Sequence, residues 1–247
     1  MFIGRLPTTV RSLAQKNETK VVSGTYQLNS GVVEMFCSFS SLPEPVTVQW
    51  MFRPSEGLPQ WREFACASKE EKKICKSEEK LVESRCTLRT NQLQMSGSYR
   101  CYATIPNQVE ARYKAYSSEF NVNVVGIEEP KLIDYHLPYH REGHIELEVC
   151  ANPRPELFWV TEEGILRPQE RSHRFATTSL LPRKVIPRAG GPATSLPYCY
   201  ATRMIVHRSH ANDTFRLVVR GELETKMERI NVRVVNVPKA GSRSELE

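Results

Sequence analysis

Gly97-Ser98-Tyr99-Arg100-Cys101 is the stretch on which the reading of this 247-residue chain turns. Tyr99 and Cys101 stand two apart, so in an extended segment both point to one side. Two upstream runs share that period. Val33, Met35 and Cys37 form the first, and Val46, Val48, Trp50 and Phe52 form the second. Alternation at period two is the mark of strands that each turn one face to a core. Cys37, Trp50, Tyr99 and Cys101 then all fall on such faces, in that order along the chain.

Four residue types in that order and spacing resemble the immunoglobulin fold, with Cys37 on its strand B, Trp50 on strand C, and Tyr99 and Cys101 on strand F. The resemblance implies a Cys37–Cys101 bridge pinning two sheets face to face, with the Trp50 indole packed against it. It also implies that the Tyr99 hydroxyl reaches back to the turn before its own strand. Carried over the chain, the fold class is all-β. It comprises two tandem immunoglobulin-like β-sandwiches, the first variable-like and the second a divergent intermediate-like domain. The expected divisions are a polar, disordered lead-in over 1–19, a first domain over 20–126, a second over 127–237 and a tail over 238–247. The junction Val125-Gly126-Ile127-Glu128-Glu129-Pro130 is too short and too poor in glycine and serine for a free linker.

Totals bound the function. A length of 247 residues suits two domains of about 100 residues each. Hydrophobic content of 40% suffices for two thin cores, and no apolar run approaches the roughly 20 residues of a spanning helix. The net charge of +6 arises from 34 basic and 28 acidic residues interspersed along the chain, without the clustered basic module that nucleic acid requires. Seven cysteines in strand-rich sequence point to an oxidising compartment, hence to an extracellular or cell-surface location. The sequons at Asn17 and Asn212 are expected glycosylation sites on that route. Met1–Leu13 lacks the apolar core of a signal peptide, so the chain reads as a fragment, a processed product or the product of an incomplete gene prediction. If it is complete, the protein is secreted.

In the first domain, strand A is expected in Lys20–Leu28, B in Gly31–Phe39, C in Val46–Phe52, an added C′ strand in Trp61–Ala67 and G in Ala111–Val124. The charge-dense Ser68–Ser84 reads as a solvated edge and loop. Cys66, Cys75 and Cys86 remain after the core pair and cannot all pair among themselves. Cys75–Cys86 stapling a D–E hairpin is the favoured pairing, and Cys66–Cys75 closing the charged loop is the other. Without a Cys-x-x-Cys spacing, no zinc or other metal is expected.

In the second domain, Pro153-Arg154-Pro155-Glu156-Leu157-Phe158-Trp159 resembles the B–C turn and strand C of intermediate-type domains. Ile145, Leu147 and Val149 alternate upstream, while Phe215, Leu217 and Val219 alternate downstream. Ile230, Val232 and Val234 mark strand G. The family pattern breaks here. Val149 holds the inward place of the strand B cysteine, Leu217 that of the strand F cysteine, and Phe215 that of the tyrosine. Cys150 and Cys199 are expected to point outward and to join as a displaced disulfide between neighbouring strands, with Cα atoms about 4.4–6.8 Å apart. The proline-rich stretch between Trp159 and Cys199 argues against a central strand. Its Arg183, Lys184 and Arg188 belong to a solvated loop or to a contact with an anionic surface such as glycosaminoglycan.

No nucleophile elbow, phosphate loop or His-Glu-x-x-His occurs, and the six histidines are scattered, so neither catalysis nor a cofactor is expected. The resemblance implies extracellular protein–protein recognition, as in cell adhesion or receptor–ligand binding, with a cell-surface or secreted partner bound homophilically or heterophilically. Many family members bind through the first domain's GFCC′ sheet face. On this chain the corresponding candidates are Arg53, Gln60, Arg62, Phe64, Tyr102, Asn107 and Tyr113, with ordinary surface positions as the other reading. A soluble secreted binder or decoy, and an intracellular structural array of the muscle type, are the rival roles.

Overall fold

The computed structural model describes residues 12–15, 23–42, 46–57, 59–76, 79–104, 114–186 and 193–237. The chain divides into two compact units, Met1–Val124 and Val125–Glu247. In the first, β1 (Ser12–Gln15), β3 (Val32–Leu42), β7 (Glu79–Arg89) and β6 (Ser68–Lys76) make one sheet, in the order β1-β3-β7-β6. The facing sheet holds β2 (Gly24–Gln27), β10 (Phe120–Ile127), β8 (Gly97–Thr104), β4 (Thr47–Pro54) and β5 (Arg62–Glu63) in that order. The short β9 (Lys114–Tyr116) pairs with the far half of β8.

Cys37 of the first sheet and Cys101 of the second are bonded, with Cα atoms 6.7 Å apart, so the bridge crosses the sandwich. Trp50 lies opposite Cys101 on β4 and donates its Nε1–H to the Ser84 hydroxyl of the other sheet at 3.1 Å. The Tyr99 hydroxyl donates to the Met95 carbonyl at 2.6 Å, and burial raises its pKa. Gly97 is required where β8 begins. A Cβ there would collide with the Arg53 backbone carbonyl.

Several strands differ from their expected positions. Ser12–Gln15, read as lead-in, forms β1 on the edge of β3. Of the expected strand A, β2 covers Gly24–Gln27, and residues 20–22 lie outside the described residues. The C′ strand shrinks to Arg62–Glu63, because Ala67 has already crossed to the opposite sheet and donates to the Thr87 carbonyl at 2.8 Å. The charged Ser68–Ser84 stretch forms an edge as expected, but as the strand β6 paired to β7 rather than as a loop over its described residues. Strand G is broken into β9 and β10 at Ser117, whose N–H donates to the Cys101 carbonyl while its hydroxyl accepts the Cys101 N–H.

The expected Cys75–Cys86 staple is replaced by Cys66–Cys86, with a Cα separation of 5.4 Å. Hairpin register explains the correction. Lys69 stands opposite Cys86, and Cys75 stands opposite Lys80. At about 3.3 Å per residue that offset leaves Cys75 about 20 Å along the strand from its proposed partner. Cys66, one residue before the Ala67–Thr87 hydrogen bond, lies alongside.

In the second unit, β12 (Gly143–Asn152) pairs with β11 (Lys131–His136) on one side and β17 (Thr194–Val206) on the other. β15 (Phe175–Thr177) and β16 (Leu181–Val185) share the outer edge of β17. The facing sheet runs β14 (Gly164–Leu166), β13 (Glu156–Thr161), β18 (Phe215–Arg220) and β19 (Thr225–Ile230). Two expectations are corrected here. The stretch read as a solvated loop supplies β14, β15 and β16, all outer strands as its prolines require, with Pro182 on β16 beside a register shift. The last strand ends at Ile230, and Val232 and Val234 pack on the core from beyond it.

This core contains no crossing bridge. Trp159 lies opposite Leu217 and donates to the Thr202 hydroxyl of the facing sheet at 3.2 Å. Thr202 pairs with Leu147, whereas Ser84 of the first unit pairs with Cys37. Measured from that shared hydrogen bond, Leu147 rather than Val149 stands where Cys37 stands. Cys150 and Cys199 are bonded as expected, but as directly opposed residues of β12 and β17 their Cα atoms stand 4.0 Å apart, closer than the expected 4.4–6.8 Å. Cys150 shares its face with Glu146 and Glu148, while Leu147, Val149 and Ala151 enter the core. One end of the unit is fixed by Arg174. Its guanidinium donates to Asp213 at 2.6 Å, to Glu162, and to the Arg208 carbonyl at 3.1 Å.

Candidate functional site

On the first unit the sheet β5–β4–β8–β9 turns Trp50, Phe52, Tyr99 and Cys101 inward, so their neighbours Met51, Arg53, Arg100 and Tyr102 face away from the core. Arg100 is the centre of that face. Its guanidinium carbon lies 4.0 Å from the Trp61 ring centroid and 4.4 Å from that of Tyr116. Two π faces hold the cation in a slot, an arrangement favourable for arginine and one that fixes its planar fork. Burial leaves the Arg100 Nε without a hydrogen-bond partner, and no carboxylate among the described residues neutralises the charge. An acidic group arriving at the open edge would find a pre-oriented donor fork.

The surroundings complete the patch. Arg53 also approaches Trp61, at 4.8 Å, but its charge is met by Glu119 at 2.7 Å. The Tyr102 and Tyr116 rings meet in a tilted pair at 5.6 Å between centroids, and the Tyr102 hydroxyl donates to Gln49. The Lys114 ammonium sits 5.6 Å from the Tyr102 ring. Tyr102 itself is buried beneath this layer, and burial raises its pKa.

Of the sequence candidates, Arg53 and Tyr102 therefore lie within the patch, and Gln60 is exposed immediately before Trp61. Phe64 is corrected, since it packs at 5.0 Å on Tyr99 and 6.1 Å on Phe52 and closes the core edge. Arg62 covers the Phe52 ring at 5.1 Å. Asn107 and Tyr113 lie outside the described residues. Trp61, Arg100 and Tyr116 were missed as a set, although Arg100 was legible as outward because it separates two inward residues. Trp61 and Tyr116 come from distant segments, and no local pattern brings them to one arginine.

In the second unit Arg183 reaches Glu148 at 3.3 Å and Glu146 at 4.0 Å on the same sheet, so part of the expected anionic contact is internally neutralised. Lys184 is exposed, while Arg188 lies outside the described residues. Asn212 is exposed in the turn before Asp213, and Asn17 lies outside the described residues. Glu148, Cys150 and Cys199 converge, but both thiols are consumed by their disulfide. Glu162, His210 and Asp213 also converge, and the Arg174 guanidinium already serves as cation to Glu162 and Asp213.

No protein-family model matches the chain, and no curated protein does. Among solved structures it is similar to the Rst D1-D2 crystal structure at 14% identity, covering 90% of this chain and 99% of that one, with a TM-score of 0.36. It is similar to the full Ig1-Ig3 ectodomain of mouse nectin-like molecule 4 at 12% identity, covering 90% and 63%, with a TM-score of 0.42. A chimeric titin Z1Z2 tandem aligns at 13% identity over 88% and 96%, with a TM-score of 0.29. In the first unit the fold is defined by the crossing disulfide, the tryptophan hydrogen bond to the opposite sheet and the tyrosine corner, and in the second by two facing sheets joined by the equivalent Trp159–Thr202 bond. By those features the chain is an all-β protein of two immunoglobulin-like units.

Proposed function

We propose that the chain is an extracellular recognition module that binds another protein through the outer face of its first sandwich, with Arg100 at the centre. The observation that carries this reading is the guanidinium held between Trp61 and Tyr116, its Nε buried and without a partner among the described residues. A flat sheet face with a preorganised arginine and two aromatic rings has the composition of an interface hot spot. A carboxylate from the partner, docked against Arg100, would supply the missing charge. The partner is a cell-surface or secreted protein, and a second copy of this chain is one such partner. The three disulfides suit an oxidising, extracellular setting. A secreted binder would use the same face.

The test is a binding screen of the chain against cell-surface and secreted ectodomains, with sedimentation of the chain alone as the homophilic arm. Arg100→Glu is expected to weaken the interaction found by about 2–4 kcal/mol, and Trp61→Ala by a similar amount. Thermal unfolding of both variants should stay near that of the parent. A partner that binds Arg100→Glu as tightly as the parent would exclude this face.

A further inference from the structure

The second unit carries a patch of different character. Leu157, Trp159, Leu217 and Val219 enter its core, so Phe158, Val160, Val218 and the alternate residues of β19 look outward. Register aligns them across the strands. Phe158 stands beside Val218 and Val218 beside Met227, while Val160 stands beside Ile165 on one side and Arg216 on the other. Ile165 is 66% exposed and Met227 61%. The face is dished, with an open concavity of about 590 Å³ walled by Phe158, Val160, Ile165 and Val218 and rimmed by Arg167 and Arg220. A contiguous apolar band of this kind marks a contact surface, whereas single exposed apolar residues do not.

Charge at its margin points to the occupant. Arg216 and Arg229 are directly opposite on β18 and β19, and like charges at cross-strand positions repel. Neither has an ion-pair partner among the described residues. Among the described residues Arg220 has only Glu156, at 3.9 Å, and Glu170 is engaged by the Arg167 backbone N–H at 2.7 Å. An apolar band bordered by unneutralised arginines is complementary to a segment that is both apolar and acidic. The band crosses four strands about 4.8 Å apart, roughly 14 Å in all, a width that suits one extended chain or one helix rather than a bilayer surface.

We infer that this face docks a protein segment whose apolar side chains lie along Phe158, Val218 and Met227 and whose carboxylates meet Arg216 and Arg229. It is independent of the Arg100 face, and either can fail alone. The probe is a short synthetic peptide in which glutamates flank phenylalanine and leucine, titrated into the full chain with methyl shifts followed by NMR. One control peptide replaces glutamate by lysine, and another replaces the apolar residues by serine. Shifts are expected at Val160, Ile165, Val218 and Met227. Each control, and the Arg216→Glu/Arg229→Glu double variant, should bind about tenfold more weakly. Both substitutions are at exposed positions, and an unchanged thermal transition verifies the fold. Equal binding of the lysine peptide, shifts mapping elsewhere, or none at about 1 mM peptide would overturn the inference. So would self-association abolished by the double variant, which would assign the face to a second copy.

Discussion

The two sandwiches fasten the same joint differently. In each, a tryptophan on one sheet donates to a hydroxyl on the other, Trp50 to Ser84 and Trp159 to Thr202. Around the first, Cys37–Cys101 crosses the core and Tyr99 ties its strand to the preceding turn. Around the second, Leu147 and Leu217 fill the space with carbon. Phe215 packs edge-on to Phe175 at 6.0 Å, and Arg174–Asp213 fixes the end. Its own disulfide joins two strands of one sheet and leaves the sandwich uncrossed. The contrast separates the two jobs of the crossing bridge. Packing can replace its volume, while its hold on the sheets passes to other contacts.

Removing Cys37–Cys101 by paired alanine substitution should show the largest effect. The loop of 64 residues corresponds to about 4 kcal/mol of lost constraint on the unfolded chain. The cavity left beside Trp50 adds to that. Equilibrium unfolding should show the first unit melting early. The same exchange at Cys150–Cys199 releases a loop of 49 residues and loses a similar entropic term of about 4 kcal/mol, without opening the sandwich. Equal losses from the two pairs would end the distinction between a bridge across sheets and one within a sheet.

Arg174→Ala should come next, at about 3 kcal/mol, because Asp213 is left charged and enclosed. Arg174→Met with Asp213→Leu should recover much of that loss if the ion pair serves as a fastener. Tyr99→Phe makes the first unit resemble the second at this position. It should cost about 1 kcal/mol in chemical denaturation, the net worth of one hydrogen bond.

The smallest effect is in acid. Ser172 donates to Glu163 at 2.6 Å and holds its carboxyl below the ordinary 4.5. Folding therefore favours the ionised form. Its contribution is full above the ordinary value and disappears as pH falls through the depressed one. A Glu163→Gln variant should match the parent in strong acid and fall slightly behind at neutral pH in thermal unfolding. A gap that widened in acid would reverse the assignment.

Strand periodicity made both cores legible, because inward residues such as Tyr99, Cys101, Leu147 and Leu217 recur every second position whatever the partner sheet does. The outward direction of Arg100 was legible for the same reason. The aromatic slot around it was not, since Trp61 lies on a connection and Tyr116 on a broken last strand. Cys86 needed the hairpin register before its partner could be identified. The amino-acid order alone determined that this chain forms alternating strands with a cysteine, tryptophan and tyrosine set in the first core and a carbon-filled substitute in the second. Tertiary structure decided which sulfur meets Cys86, that Phe64 closes the core, and that Arg100 is gripped by two rings. Those outcomes depend on distances between segments remote in sequence, which no local spacing encodes.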